Sequence, residues 1–392
     1  MTVLGMISGT SMDGIDVAAA TFELRGEVLE LSPLGSFSIP YGQGLRHDLA
    51  SALPPASVAA EAVAKLDNEV GVAFATAAKQ AIDELAPDTQ LVVSHGQTLF
   101  HWVEGPRVRG SLQIGQPAWI AAETGLPVVA DLRAADIAAG GQGAPLAALF
   151  DELLLSEGDA NRAALNIGGI ANLTIVTPGL DTIAYDIGPG NALIDAAVAH
   201  ITSDREPFDR DGSRGESGEI HHDLLTQLLS DPYYSLSPPK TTGKEHFHLP
   251  YLLDAASDLG EVADDDLVAT ATALTAQSVA DACRGHGVEE VIAAGGGVNN
   301  PTLMGMLRDR LEGIPIRPID TLGMEASAKE AYFMAMTGFF TVHGLPGNVP
   351  SATGAARAVP LGCILAGENG FPSVEPVAVP PSRLRLRSDE QR

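Results

Sequence analysis

Residues 5–18 of the chain, Gly-Met-Ile-Ser-Gly-Thr-Ser-Met-Asp-Gly-Ile-Asp-Val-Ala, combine residue types that can grip an anion. An apolar run ends in Ser8, Gly9, Thr10 and Ser11, Asp13-Gly14 follows, and a second apolar run begins at Ile15. This order predicts a strand, a tight turn and a strand, with Asp-Gly as the turn signal. Glycine lets backbone N–H groups come close to a phosphate, hydroxyls add donors, and a carboxylate such as Asp13 can hold magnesium or its waters. Taken alone, an ordinary hairpin with a polar turn explains the segment as well, because short motifs recur by chance. Three more small-residue turns stand at predicted strand ends, at 167–171, 188–191 and 295–300. Two hairpin turns and one Gly-Gly-Gly turn before a helix suit a nucleotide triphosphate. The hairpins would cradle phosphates, and the third turn would pack against a flat base or ribose, with Asn299 and Asn300 as polar contacts.

Commoner nucleotide sites are excluded. Thr241-Thr242-Gly243-Lys244 lacks the first glycine of a P-loop, and no G-x-G-x-x-G follows a strand. No H-E-x-x-H occurs, and two cysteines, Cys283 and Cys363, are too few for a zinc site or a disulfide framework. With 23 Lys+Arg against 50 Asp+Glu, the net charge of −27 repels nucleic acid and anionic membrane. A small phosphate ligand stays compatible, since backbone amides and a metal act locally. No signal peptide and no run of about twenty apolar residues is present, so a cytoplasmic protein is expected.

The elements that must position these turns alternate between strand and helix patterns, which argues for α/β architecture. At 392 residues two domains are the default. Apolar residues three and four apart predict a helix within 55–86. Strands are expected at 91–93, 127–130, 163–167, 173–176, 183–186 and 291–294, and helices at 144–155, 192–201, 267–283 and 301–311. The stretch 231–246, rich in Pro, Tyr, Ser, Thr and Lys, reads as a long loop whose Lys240 and Lys244 are solvated. The tail from Pro380 reads as a frayed or edge segment.

This layout resembles the actin, sugar kinase and Hsp70 superfamily and, at finer grain, the anhydro-N-acetylmuramic acid kinase family. The motifs that carry the resemblance are the 5–16 segment, Ser-His-Gly-Gln-Thr at 94–98, Ala-Asp-Leu-Arg at 130–133 and Ala-Ala-Gly-Gly-Gln-Gly-Ala-Pro-Leu at 138–146. They continue with Asn-Ile-Gly-Gly-Ile-Ala-Asn-Leu-Thr at 166–174, Asp-Ile-Gly-Pro-Gly-Asn at 186–191, Gly-Gly-Gly-Val-Asn-Asn at 295–300 and Lys-Glu-Ala at 329–331. The loop 239–245 is similar to the family's Pro-Lys-Ser-Thr-Gly-Arg-Glu and departs from it at Thr241 and Lys244.

The resemblance implies a two-lobed, actin-like (ribonuclease H-like) α/β fold with ATP and sugar in the interdomain cleft. It implies an N-terminal lobe at 1–134, with 350–380 as a candidate addition, and a C-terminal lobe at 135–349. The implied activity is a transferase reaction of peptidoglycan recycling. The 1,6-anhydro ring of 1,6-anhydro-N-acetylmuramic acid is opened with water, and O6 is phosphorylated from ATP. Asp186 is the implied base. Gly9, Thr10, Ser11, Met12, Asp13, Gly14, Ile15 and Asp16, with Gly168, Gly169, Asn172, Gly295, Gly296, Gly297 and Asn299, are the implied ATP contacts, and Asp13 the Mg2+ contact. For the sugar they are His95, Gln97, Arg133, Gly190, Asn191 and Glu330. A guanidinium fork at Arg133 suits the lactyl carboxylate. For Asp186 a capping role is the plainer alternative, and for Arg133 a salt bridge. A kinase for another anhydro sugar such as levoglucosan, or a non-catalytic ATP-binding switch, are the competing functions. The ligands are small molecules, with no nucleic acid or membrane partner, and a homodimer is left open.

Overall fold

The computed structural model describes residues 1–9, 11–54, 56–105, 107–257, 259–260, 262–375, 377 and 379–387. They form two compact units, Met1–Ser156 with Leu322–Arg392, and Glu157–Thr321.

The first unit is built on β1 (Thr2–Ser8), β2 (Gly14–Arg25), β3 (Val28–Pro40), β4 (Leu91–Glu104), β5 (Arg107–Ile114) and β6 (Val128–Ala130). β1, β2 and β3 form an antiparallel meander, and β4 and β6 continue the sheet parallel to β1. β5 folds back on β4, and strands Cys363–Leu365 and Arg383–Leu386 complete the sheet beside β6 and β3. Val3, Leu4, Met6 and Ile7 of β1 are all buried, as expected of a central strand covered on both faces. Helix Ala60–Glu84 covers one face and buries Leu66, Val70, Phe74, Ala77, Ala78 and Ala81, the three- and four-residue steps legible in the sequence. Burial of a side chain the size of Phe74 contributes about 2–3 kcal/mol. Helix Lys329–Val342 packs on β1, β2 and β4.

The second unit has β7 (Arg162–Ile167), β8 (Ile170–Val176), β9 (Ile183–Pro189), β10 (Glu290–Ala294) and β11 (Ile316–Pro318). The order is β11-β10-β7-β8-β9. Here β7, β8 and β9 are an antiparallel meander, and β10 and β11 run parallel to β7. The first unit repeats this plan in β6-β4-β1-β2-β3. Helix Asp264–Gly285, with Val268, Ala271, Leu274 and Val279 fully buried, is the centre of the second core.

The unit boundaries differ from the expected 134/135 division. Segments 135–156 and 322–349 pack with the first sheet, because helix Ala148–Leu155 lies on strand Arg383–Leu386 and helix Lys329–Val342 lies on β1. Within the tail, Arg383–Leu386 is an edge strand, and Arg387 reaches Glu30 at 2.7 Å. No helix among the described residues is long and apolar enough to cross a membrane.

Candidate functional site

In the first unit, polar residues gather where the parallel strands β1, β4 and β6 end, the end of an α/β sheet at which ligands bind. The first turn joins β1 to β2. Ser8 Oγ lies 2.7 Å from the Gly14 carbonyl and 2.6 Å from Gln97 Oε1, so its single proton serves one acceptor at a time. Gln97 Nε2 donates to the Gly9 carbonyl at 3.1 Å. Gln97, 1% exposed, is thereby a brace beneath the turn. The Met12 and Ile15 side chains belong to the core, leaving only their backbone for a ligand. Thr10 lies outside the described residues. Ser11 Oγ donates to Asp13 Oδ1 at 2.7 Å, and Asp13 is exposed at the tip. Asp16, on β2, has its carboxyl pushed above the usual range by burial; a Ser38 hydrogen bond opposes this and Asp13 adds to it.

Arg133 follows β6. Its Nε donates to His95 Nε2 at 3.0 Å and its Nη1 to the Gly143 carbonyl at 2.6 Å. Its Nη2 makes no hydrogen bond to another described residue. His95 is buried, and burial, with the Arg133 charge beside it, lowers its pKa to about 3. The ring is therefore neutral. Because Nε2 accepts from Arg133, the proton sits on Nδ1, which faces the Gly96 carbonyl at 3.2 Å. His95 thus supports the guanidinium from behind. Burial lowers the Arg133 pKa, and the charges of Glu330 and Asp136 oppose that shift. Glu330 opens helix Lys329–Val342. Solvent reaches its side chain, yet the protein around it raises its carboxyl pKa; Lys329 pulls down, Asp16 up and Arg133 down. Neighbouring Lys329 is buried and paired with Asp151 at 2.5 Å, which fixes the start of the helix.

In the second unit the two glycine turns are laced together. The N–H groups of Gly190 and Ala192 donate to the Gly169 carbonyl, and that of Asn191 to the Gly168 carbonyl, at 2.8–3.0 Å. Only glycine fits at 190, where a Cβ would stand 2.3 Å from the Gly168 oxygen. Asn166, Asn172 and Asp186 are opposed across β7, β8 and β9, so they form one polar row on one face of the sheet. The Gly295 turn packs on the end of that row, against Asn166 and Ile167.

Asp186 is held at three points. Its N–H donates to the Lys240 carbonyl at 3.1 Å, and its carbonyl accepts from Tyr233 Oη at 2.6 Å. Its Oδ2 accepts the Thr242 N–H at 3.1 Å. Oδ1 has no hydrogen bond to another described residue. Burial raises the carboxyl to about 6, against the Thr242 hydrogen bond and with help from Glu245. Asp186 caps no helix. The following helix, Ala192–Thr202, has Asn191 at its N-cap, and Asn191 Nδ2 points to the Ile167 carbonyl at 3.4 Å.

The loop 231–248 is more ordered chemically than its composition implied. Lys240 Nζ donates to the Tyr233 carbonyl at 3.0 Å and lies 4.5 Å from the Tyr233 ring centroid, so it is an anchor and not a solvated lysine. Lys244 is exposed, with its stem over the Gly168-Gly169 turn, where a Cβ on Gly169 would meet its Cε at 2.8 Å. Nearby Asp195 is raised to about 6 by burial, with Lys244 opposing. Asn299 is exposed at the Gly-Gly-Gly turn. Asn300 is buried, and its Oδ1 caps helix Pro301–Arg310 through the Leu303 N–H at 3.0 Å, so its oxygen is not available to a base or ribose. The braces on Asp186 from Tyr233 and Lys240 had no sequence signal, because each contact joins residues whose proximity only the fold creates.

Two α/β units of one strand plan, each with a glycine turn in its antiparallel meander, define the two-lobed actin-like, ribonuclease H-like class. A family model described as anhydro-N-acetylmuramic acid kinase matches residues 1–367. An anhydro-N-acetylmuramic acid kinase of Streptomyces coelicolor is 52% identical, covering 98% of this chain and 99% of the relative. One from Rhodococcus erythropolis is 48% identical, covering 99% and 100%. Among solved structures, the (R)-2-hydroxyglutaryl-CoA dehydratase component A of Acidaminococcus fermentans is a remote likeness, with a TM-score of 0.44, 13% identity and coverage of 86% and 98%. The chain belongs to the anhydro-N-acetylmuramic acid kinase family.

Proposed function

We infer that the protein uses ATP to open the 1,6-anhydro bridge of 1,6-anhydro-N-acetylmuramic acid and phosphorylate the freed O6. The products are N-acetylmuramic acid 6-phosphate and ADP. The observation that carries the reading is the Asp186 carboxyl, pinned at Oδ2, with Oδ1 unbonded to any other described residue, and raised to about 6. Water attacks C1 and gives its proton to Asp186. The C1–O6 bond breaks, and O6 takes the γ-phosphoryl group as ADP leaves. Proton acceptance matters most as the C1–O bond forms, and the phosphoryl step needs positioning and charge neutralisation more than covalent chemistry.

The phosphate contacts in this reading are the first turn from Gly9 to Asp16, together with Gly168, Gly169 and Asn172. Gly295, Gly296, Gly297 and Asn299 contact the adenosine. Arg133, steadied by His95, receives the lactyl carboxylate, and Glu330, Gly190 and Asn191 hold sugar hydroxyls. Among the described residues no group of three or more His, Cys, Asp or Glu side chains could cage a metal. The exposed Asp13 suits magnesium, which keeps most of its waters and takes one or two carboxylates. Such an ion would neutralise phosphate charge.

The test is a product assay with Mg-ATP and a panel of anhydro sugars. The expected result is sugar 6-phosphate and ADP formed together from the muramic acid substrate. ADP alone, or ATP binding without product, overturns the reading, and preference for levoglucosan or another neutral anhydro sugar overturns the substrate.

A pH dependence follows. A base must be ionised to accept a proton, and Asp186 ionises as pH rises through about 6. The kcat/KM for the sugar should be flat above that value and fall tenfold per pH unit below it. Asp195 also lies at about 6. An Asp195→Asn variant that keeps the limb attributes it to Asp186, and a limb near the ordinary carboxylate value of about 4 contradicts the base.

A further inference from the structure

Asp136 sits in the short helix Ala134–Ala138 and is completely buried. Its Oδ1 accepts from Asn348 Nδ2 at 2.6 Å and from Thr353 Oγ1 at 2.7 Å, and its Oδ2 accepts from the Gly143 N–H at 2.8 Å. Its backbone carbonyl takes the Gly141 N–H at 2.9 Å. The Gln142 N–H donates to the Thr353 carbonyl at 2.9 Å, so the 140–143 turn hangs between Asp136 and the 348–353 segment. Gly141 must be glycine here, since a Cβ would stand 2.2 Å from Asp136 Oδ2. Gly143 is the junction. Its N–H is fixed by Asp136, and its carbonyl fixes Arg133 Nη1 at 2.6 Å. Arg133 in turn spans to the neutral His95.

We propose that Asp136 is a positioning residue that sets the Arg133 guanidinium through Gly143, and so governs recognition of the carboxylate on the sugar. The proposal rests on the functional reading above. A side chain that merely stabilised the fold would weaken both ligands together. Asp136 acts on one: when the Gly143 carbonyl shifts, Nη1 loses its acceptor and the fork turns away from the lactyl group, while the first turn keeps its own brace in Gln97.

The experiment measures KM for 1,6-anhydro-N-acetylmuramic acid, KM for ATP and kcat in the wild type, Asp136→Asn and Thr353→Val. Thr353→Val keeps the carboxylate and removes one donor, which guards against a misfolded Asp136→Asn. The expected result is a rise of about tenfold or more in the sugar KM for Asp136→Asn and a smaller rise for Thr353→Val, as losing part of a buried hydrogen-bond set costs. The ATP KM should change less than about twofold, and kcat should fall far less than the sugar KM rises. Equal loss for both ligands, loss confined to kcat, or an unchanged sugar KM overturns the proposal. A wild type that does not turn over the muramic acid substrate instead overturns the functional reading, and that outcome appears before any variant is compared.

Discussion

Asp186→Asn should lower kcat by about 10²–10⁴-fold while changing ATP affinity by less than about twofold, the loss expected for a general base. The substitution is nearly isosteric. The carboxamide oxygen can still accept the Thr242 N–H, and the backbone anchors to Lys240 and Tyr233 do not involve the side chain. What disappears is the ability to take a proton from water at C1. Steady-state assay of the sugar phosphate, with calorimetric titration of ATP on the same preparation, reads both quantities. A variant that keeps activity within tenfold of wild type removes Asp186 from the base role. A variant that loses ATP binding or its melting transition points to a structural role instead.

Replacing Arg133 has the second largest expected effect, and it falls on the sugar. Arg133→Met removes a guanidinium whose Nε and Nη1 are committed to His95 and Gly143 and whose Nη2 bonds to no other described residue. Losing one partner of a buried, charge-assisted pair costs about 2–5 kcal/mol, so the sugar KM should rise by about 30-fold to several thousandfold. Arg133→Lys should recover little of this, because an ammonium cannot span His95 and Gly143 while offering a planar edge to a carboxylate. The ATP KM should be nearly unchanged in both variants. His95 Nε2 loses its donor in the Met variant, so a stability loss of about 1–3 kcal/mol is expected, readable by urea unfolding. A sugar KM within threefold of wild type in Arg133→Met would remove Arg133 from carboxylate recognition.

Much of the local structure was legible. The helix Ala60–Glu84 was visible as apolar steps, and each glycine turn fell where a strand pattern broke off. The motif around Asp186 was legible because it is contiguous. The setting of its carboxyl was not, because burial and Glu245 raise it to about 6 against the Thr242 hydrogen bond, and both loop residues lie more than fifty positions away. The resemblance implies a sugar contact at Gln97; its bonds to Ser8 and the Gly9 carbonyl, 89 and 88 positions away, follow the sheet and have no local signal. Asn300 read as a ligand contact and is a helix cap.

The chain by itself determined the turns and the strand–helix alternation. These depend on backbone sterics and on periodicity over a few residues, which short segments carry in full. Only the tertiary structure decided the unit boundaries and the hydrogen-bond wiring around Arg133. Arg133 meets His95 38 positions away, and Asp136 meets Thr353 217 positions away. A hydrogen bond across such a distance has no local signature. It exists only after the first unit's core has buried enough apolar surface to offset the entropy of bringing those segments together.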